Sequence, residues 1–109
     1  MENKINYRRV TPYRKLEDVV GCKWSVSVLD SVGRGINRPG ALKRHIRGIS
    51  TKVLAERLRK LTDYGLVEKQ SYPEIPPRTE YSLTYSGKRL FEIIQQIQRL
   101  DAEIGMKDE

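Results

Sequence analysis

The segment GISTKVLAERLRKLTDYGLV, residues 48–67, reads as a helix held between two glycine stops. Ser50 suits a helix N-cap, because its side-chain oxygen can accept a hydrogen bond from a backbone N–H that has no partner in the first turn. Leu54, Leu58 and Leu61 then fall at i, i+4 and i+7, which is one buried face of a 3.6-residue period. Gly65 ends the helix after Asp63-Tyr64, and the period changes beyond it. LVEKQSY (66–72) and the alternating TEYSL (79–83) read as strands, with the proline-stiffened loop PEIPPR (73–78) between them. A helix that runs directly into a hairpin is the signature to be explained.

Upstream, a short helix fits Ala41 to Arg47 with Leu42 and Ile46 facing inward, and Gly48 makes the tight turn into the Ser50 helix. Two short helices joined this way are a helix-turn-helix, and the hairpin after them stands where a wing belongs. Before them, INRPG (36–40) reads as an extended link closing in a turn. A helix from Lys23 presents Trp24, Val28, Leu29 and Val32 and stops at Gly33 and Gly35. A first helix begins at Thr11-Pro12, with Leu16, Val19 and Val20 as its apolar positions, and runs to Gly21. The fold expected is therefore α+β, mainly α: a winged helix-turn-helix with a two-stranded hairpin and terminal dimerisation helices. In domain terms, 1–10 is a flexible arm, 11–104 a single domain and 105–109 a tail.

The chain has 109 residues and a net charge of +7, with 21 Lys+Arg against 14 Asp+Glu. The excess is localised. Residues 34–60 hold nine basic side chains (Arg34, Arg38, Lys43, Arg44, Arg47, Lys52, Arg57, Arg59 and Lys60) against Glu56 alone. The remainder is nearly balanced, at twelve basic and thirteen acidic. Solvated surfaces usually intersperse both signs, whereas a single-sign window concentrates a polyanion. With the leucine face buried, the Ser50 helix exposes Ser50, Thr51, Lys52, Ala55, Glu56 and Arg59. Its N-terminal end would enter a major groove, where hydroxyls, Lys and Glu can read base edges. Lys43, Arg44 and Arg47 would touch the DNA backbone, and Arg78 would reach phosphates or the minor groove from the wing tip.

Thr84 caps a last helix, expected over Tyr85 to Glu103, in which Leu90, Ile93, Ile97, Leu100 and Ile104 step by three and four as a heptad seam. A domain already built from four amphipathic helices and a hairpin has little need of that seam internally. It is assigned, with Leu16 of the first helix, to a homodimer that would set two recognition helices about one DNA turn (~34 Å) apart.

The strings Gly21-Cys22-Lys23-Trp24, Gly48 to Leu61, Tyr64-Gly65-Leu66-Val67 and YPEIPPRTEYSLT (72–84) with Gly87 resemble the HxlR family of winged helix-turn-helix regulators, over roughly Thr11 to Leu100. The resemblance implies a dimer joined by its terminal helices, the Ser50 helix in the major groove and the hairpin as wing. Many relatives carry a cysteine before the first-helix proline, and some sense oxidants with it. Here Thr11 precedes Pro12, so that role is not carried over. The single cysteine, Cys22, reads as a half-buried thiol that becomes a redox candidate only if its thiolate is stabilised, with Lys23 as the nearest cation.

The function expected is a cytoplasmic, sequence-specific regulator of double-stranded DNA acting on a pseudo-palindromic operator. A winged-helix module that binds protein or RNA is the alternative, and salt-dependent duplex binding discriminates the two. An enzyme is not expected: one histidine, one cysteine and no Gly-rich phosphate loop supply no nucleophile–base pair. His45 lacks a neighbouring ligand for a metal, and no cofactor or effector motif stands out. The N-terminal MENKINYRRV has no apolar run of the kind a secretory signal carries, and no membrane partner is expected.

Overall fold

The computed structural model describes residues 13–107, so the arm expected over 1–10 and the Thr11-Pro12 helix start lie outside the described residues. The elements run α1 (Arg14–Val20), α2 (Lys23–Gly33), α3 (Pro39–His45), α4 (Thr51–Asp63), β1 (Val67–Tyr72), β2 (Arg78–Leu83) and α5 (Tyr85–Lys107). This is the mainly helical winged architecture read from the sequence.

One core takes apolar residues from every helix and from the start of the hairpin. Val19 of α1, Val28, Leu29 and Val32 of α2, Leu42 of α3, Leu54, Leu58 and Leu61 of α4, Val67 of β1, and Leu90 and Ile94 of α5 are all buried. α2 is the central post and packs against α1, α3, α4, α5 and β2. Its last residue, Gly33, faces the ring of Phe91, and a Cβ there would collide with that ring. The missing side chain thus lets α5 lie close along α2. Trp24 is only half-buried and packs at the edge of the core.

The hairpin is antiparallel, in register from Val67 opposite Leu83 to Tyr72 opposite Arg78. β2 is its inner strand. The Tyr81 N–H donates to the Asn37 carbonyl at 2.8 Å, tying the wing to the link between α2 and α3. At the other end Thr84 joins three elements. Its backbone N–H donates to the Leu66 carbonyl (3.0 Å), its hydroxyl donates to the Gly65 carbonyl (2.6 Å), and that same oxygen accepts from the Gly87 N–H (3.0 Å) as the cap of α5.

The bounds of α3 and the end of α5 differ from expectation. α3 begins at Pro39 rather than Ala41 and ends at His45 rather than Arg47. Pro39 is not part of a turn. Arg38 is extended (φ −109°, ψ 142°), as a residue before proline prefers, and Pro39 supplies the first helical position, where a missing N–H costs nothing. The tail expected over 105–109 is helical as far as Lys107.

Candidate nucleic-acid interface

The start of α4 is aimed outward by its neighbours. Gly48 holds φ +86°, a conformation L side chains rarely adopt, and so reverses the chain between α3 and α4. Ile46 and Ile49, on either side of it, are buried and pin the turn to the core. Ser50 follows as N-cap, extended at φ −84° and ψ 160°, and its Oγ accepts from the Val53 N–H at 3.1 Å. With Leu54, Leu58 and Leu61 inside, Ser50, Thr51, Lys52, Ala55, Glu56 and Arg59 are all exposed. The remaining N–H groups of the first turn face outward with them, in the positive field of the helix start.

The cations of residues 34–60 divide into two sets. Arg34 pairs with Asp30 (2.8 Å), Arg38 with Glu80 (3.8 Å) and Lys60 with Asp18 (3.0 Å). Arg57 is half-buried on the α1 side of the helix. Lys43, Arg44, Arg47, Lys52 and Arg59 are exposed, and among the described residues none has a carboxylate within 4 Å. These five lie on α3, on the turn after it and on the outer face of α4. Within residues 34–60, the exposed cations without a carboxylate partner among the described residues therefore all lie on the helix-turn-helix.

The wing closes one side of this face. Pro39, Thr51, Ala55, Arg59, Lys69 and Tyr81 line a groove of about 490 Å³ between α4 and the hairpin. Lys69, exposed on β1, belongs to this surface and lies outside the basic window. Strand alternation was the one signal that could have turned it toward the same side as Arg59.

Arg78 stands where the Pro-rich loop meets the hairpin stem. It is the first residue of β2, not the apex of the wing, and its guanidinium is already engaged. It stacks over the Tyr72 ring at 3.9 Å and meets Glu74 at 3.2 Å and Glu80 at 3.5 Å. A free wing-tip cation is thus replaced by a brace across the hairpin stem. The apex carries Ile75, which is 100% exposed.

On the opposite side of α4 a polar clamp joins the helix to α1. The Tyr64 hydroxyl donates to Asp18 Oδ2 at 2.6 Å, and Lys60 Nζ meets the same oxygen at 3.0 Å. These contacts, Tyr64 first, hold the Asp18 carboxyl below the usual carboxylate range, and the hydrogen bond to Asp18 pushes the Tyr64 hydroxyl up.

Of the expected dimerisation residues, Ile93, Ile97, Leu100 and Ile104 are exposed along α5, and Leu16 is exposed on α1. Leu90 departs from this set. It is 4% exposed, inside the chain's own core with Ile94, because Phe91 against Gly33 turns that edge of α5 inward. Val20, also exposed on α1, adds to the apolar surface.

Cys22 stands at the N-cap position of α2 and is half-buried. Burial pushes its thiol up, but the Ser25 hydroxyl, the Ser25 and Trp24 backbone and the Arg57 charge together hold it below the ordinary thiol value. Lys23, the expected stabiliser, instead places its ammonium 4.7 Å from the centre of the Trp24 ring.

A helix-turn-helix that carries exposed cations and a hairpin wing defines a winged helix-turn-helix protein of the transcription-regulator class. Comparison with known proteins gives the same class. Residues 19–109 match the family model described as HxlR-like helix-turn-helix. The chain is 37% identical over 94 residues to the uncharacterised HTH-type transcriptional regulator sll1512 of Synechocystis, covering 86% of this chain and 70% of that one. It is 40% identical over 81 residues to the uncharacterised HTH-type regulator YkvN of Bacillus subtilis, covering 74% and 69%. Among solved structures, a protein from Porphyromonas gingivalis W83 described as a MarR-family transcriptional regulator superposes with a TM-score of 0.75 at 41% identity, over 92% of this chain and 94% of that one. The chain belongs to the HxlR-like helix-turn-helix family, whose members are transcriptional regulators rather than enzymes. No helix among the described residues is long and apolar enough to cross a membrane.

Proposed function

We propose that the chain is a cytoplasmic regulator that binds a pseudo-palindromic duplex operator as a homodimer, with α4 in the major groove of each half-site. The observation that carries this reading is the set of exposed cations on the helix-turn-helix with no carboxylate within 4 Å among the described residues: Lys43, Arg44, Arg47, Lys52 and Arg59. In this reading Thr51, Lys52, Ala55 and Glu56 meet base edges, Ser50 and the first-turn N–H groups meet a phosphate, and the α3 cations fix the register along the backbone. Arg59 and Lys69 border the groove toward the wing and meet the flanking phosphates. The exposed stripe of α5, with Leu16 and Val20 of α1, supports the two-fold partner.

The test is to incubate the purified protein with sheared genomic DNA from its source, recover bound duplexes, and measure affinity for one of them as salt is raised. The expected result is saturable binding that weakens steeply with salt, with Lys52→Ala and Arg59→Ala each about tenfold weaker while the dimer persists. Equal affinity of both variants and the parent would remove α4 from the interface.

A further inference from the structure

The wing loop is rigid, apolar and electrically neutral, which is an unusual tip to hold beside a polyanion. Pairing of the hairpin ends at Tyr72 opposite Arg78, leaving residues 73–77, three of them proline, as the loop. Proline fixes φ, so such a loop loses little conformational freedom on docking. The stem beneath is clamped: Arg78 lies on the Tyr72 ring and bridges Glu74 and Glu80, and Arg38 at the start of α3 meets Glu80 from the other side. These pairs neutralise the one carboxylate of the loop, Glu74, and leave Ile75 fully exposed between Glu74 and the exposed Pro76 and Pro77. Among the described residues nothing covers Ile75.

The tip is also continuous with the recognition face. Pro39 lines the groove beside Thr51, Ala55 and Arg59 of α4, and it also lines the cleft beside Ile75 and Pro76. A duplex seated against the outer face of α4 therefore runs on past the loop.

We infer that Ile75, carried on its proline-stiffened loop, is an apolar wedge that packs into the minor groove of the duplex whose major groove receives α4. The inference rests on the duplex-binding reading above. Apolar side chains inserted at a minor groove partly unstack a base step and bend the duplex, and pyrimidine–purine steps yield most readily. Ile75 would thus add a preference for a deformable step flanking each half-site and an affinity contribution that salt does not screen. The Arg78 ion pairs are what keep the tip uncharged, so the arginine positions the wing.

The experiment uses the full chain and a fluorescein-labelled genomic duplex recovered with the parent protein. Affinity is measured across a salt series for the parent, Ile75→Ser, Ile75→Leu and Lys52→Ala, with electrophoretic bend analysis of each complex and thermal melts of each protein. Because Ile75 is fully exposed, all variants should melt with the parent. Ile75→Ser should bind about tenfold more weakly with an unchanged salt slope and a smaller bend, Ile75→Leu should restore both, and Lys52→Ala should lower the slope by about one phosphate's worth. Parent-like affinity and bending in Ile75→Ser, or a loss that appears as a changed salt slope, would overturn the wedge while leaving the recognition helix intact. A tip that serves a protein partner would give the first of those results. Failure of the parent to bind any recovered duplex would instead defeat the duplex reading, and the wedge with it.

Discussion

Lys52 and Lys60 stand on one helix and differ in what they face. Lys52 is exposed with no carboxylate near it among the described residues, whereas Lys60 grips Asp18 on α1. Sequence cannot separate them, since the acid that claims Lys60 lies 42 positions away. The structure predicts opposite phenotypes. Lys52→Ala should lose duplex affinity by about tenfold with its melting temperature unchanged. Lys60→Met should leave affinity within about twofold of the parent, since its charge is already matched. Equilibrium binding beside thermal melts checks both, and an equal affinity loss in the two variants would contradict the division. Asp18 adds a pH test. Its folded pKa is depressed, chiefly by the Tyr64 hydroxyl and then by Lys60. Its contribution to stability is therefore complete above the unfolded value of about 3.9 and is lost as pH falls through the lower folded value. Asp18→Asn should melt below the parent at pH 7, and the two should converge as pH falls under about 3.9. A gap that stays constant with pH would show that the carboxylate charge is irrelevant.

Among the elements, the junction of α5 with the wing is the least forgiving. A Cβ on Gly87 would run into the Leu66 carbonyl, and Thr84 ties the same corner through Gly65, Leu66 and Gly87. Gly87→Ala should destabilise the fold by about 1–3 kcal/mol, because backbone, not a pliable side chain, must yield. Thr84→Val should cost about 1 kcal/mol through the lost cap. Denaturant midpoints at constant m-value measure both, and a neutral Gly87→Ala would show that α5 is free to shift. Most elements were legible because their cues are local. Ser50 as a cap, the 54/58/61 leucine face, and the glycines at 48 and 65 each act within one turn. The misreadings needed distant information. Pro39-Gly40 has the composition of a turn, yet the link leading into it is held by the Tyr81 N–H from β2, and Pro39 then serves as a helix start. Leu90 fits the α5 heptad as well as Ile93 does. What turns it inward is Phe91 seated on Gly33, a contact between residues 58 apart in sequence. Arg78 resembled a free cation because its three partners meet only once the strands pair.

At the scale of the molecule, an exposed apolar stripe runs along α5, while the exposed cations of residues 34–60 lie on α3, the turn after it and α4. Ile93, Ile97, Leu100 and Ile104 leave α5 with an exposed stripe over its outer turns, more than a small soluble chain ordinarily keeps uncovered. If α5 pairs with its two-fold mate as proposed, Ile97→Asp with Leu100→Lys should give a folded monomer in sedimentation equilibrium and weaken duplex binding by about 100-fold, because each half-site is then held alone. A dimer that survives both changes would place the two-fold interface elsewhere. In the proposed complex α4 occupies the major groove of each half-site. Dimethyl sulfate methylates guanine N7 in the major groove and adenine N3 in the minor groove, so interference by each methyl group on a recovered duplex reports the two faces separately. We expect N7 methylation at positions within each half-site to block binding, with N3 interference confined to flanking positions beneath the wing. Binding that tolerates N7 methylation at every guanine would contradict the placement of α4 in the major groove.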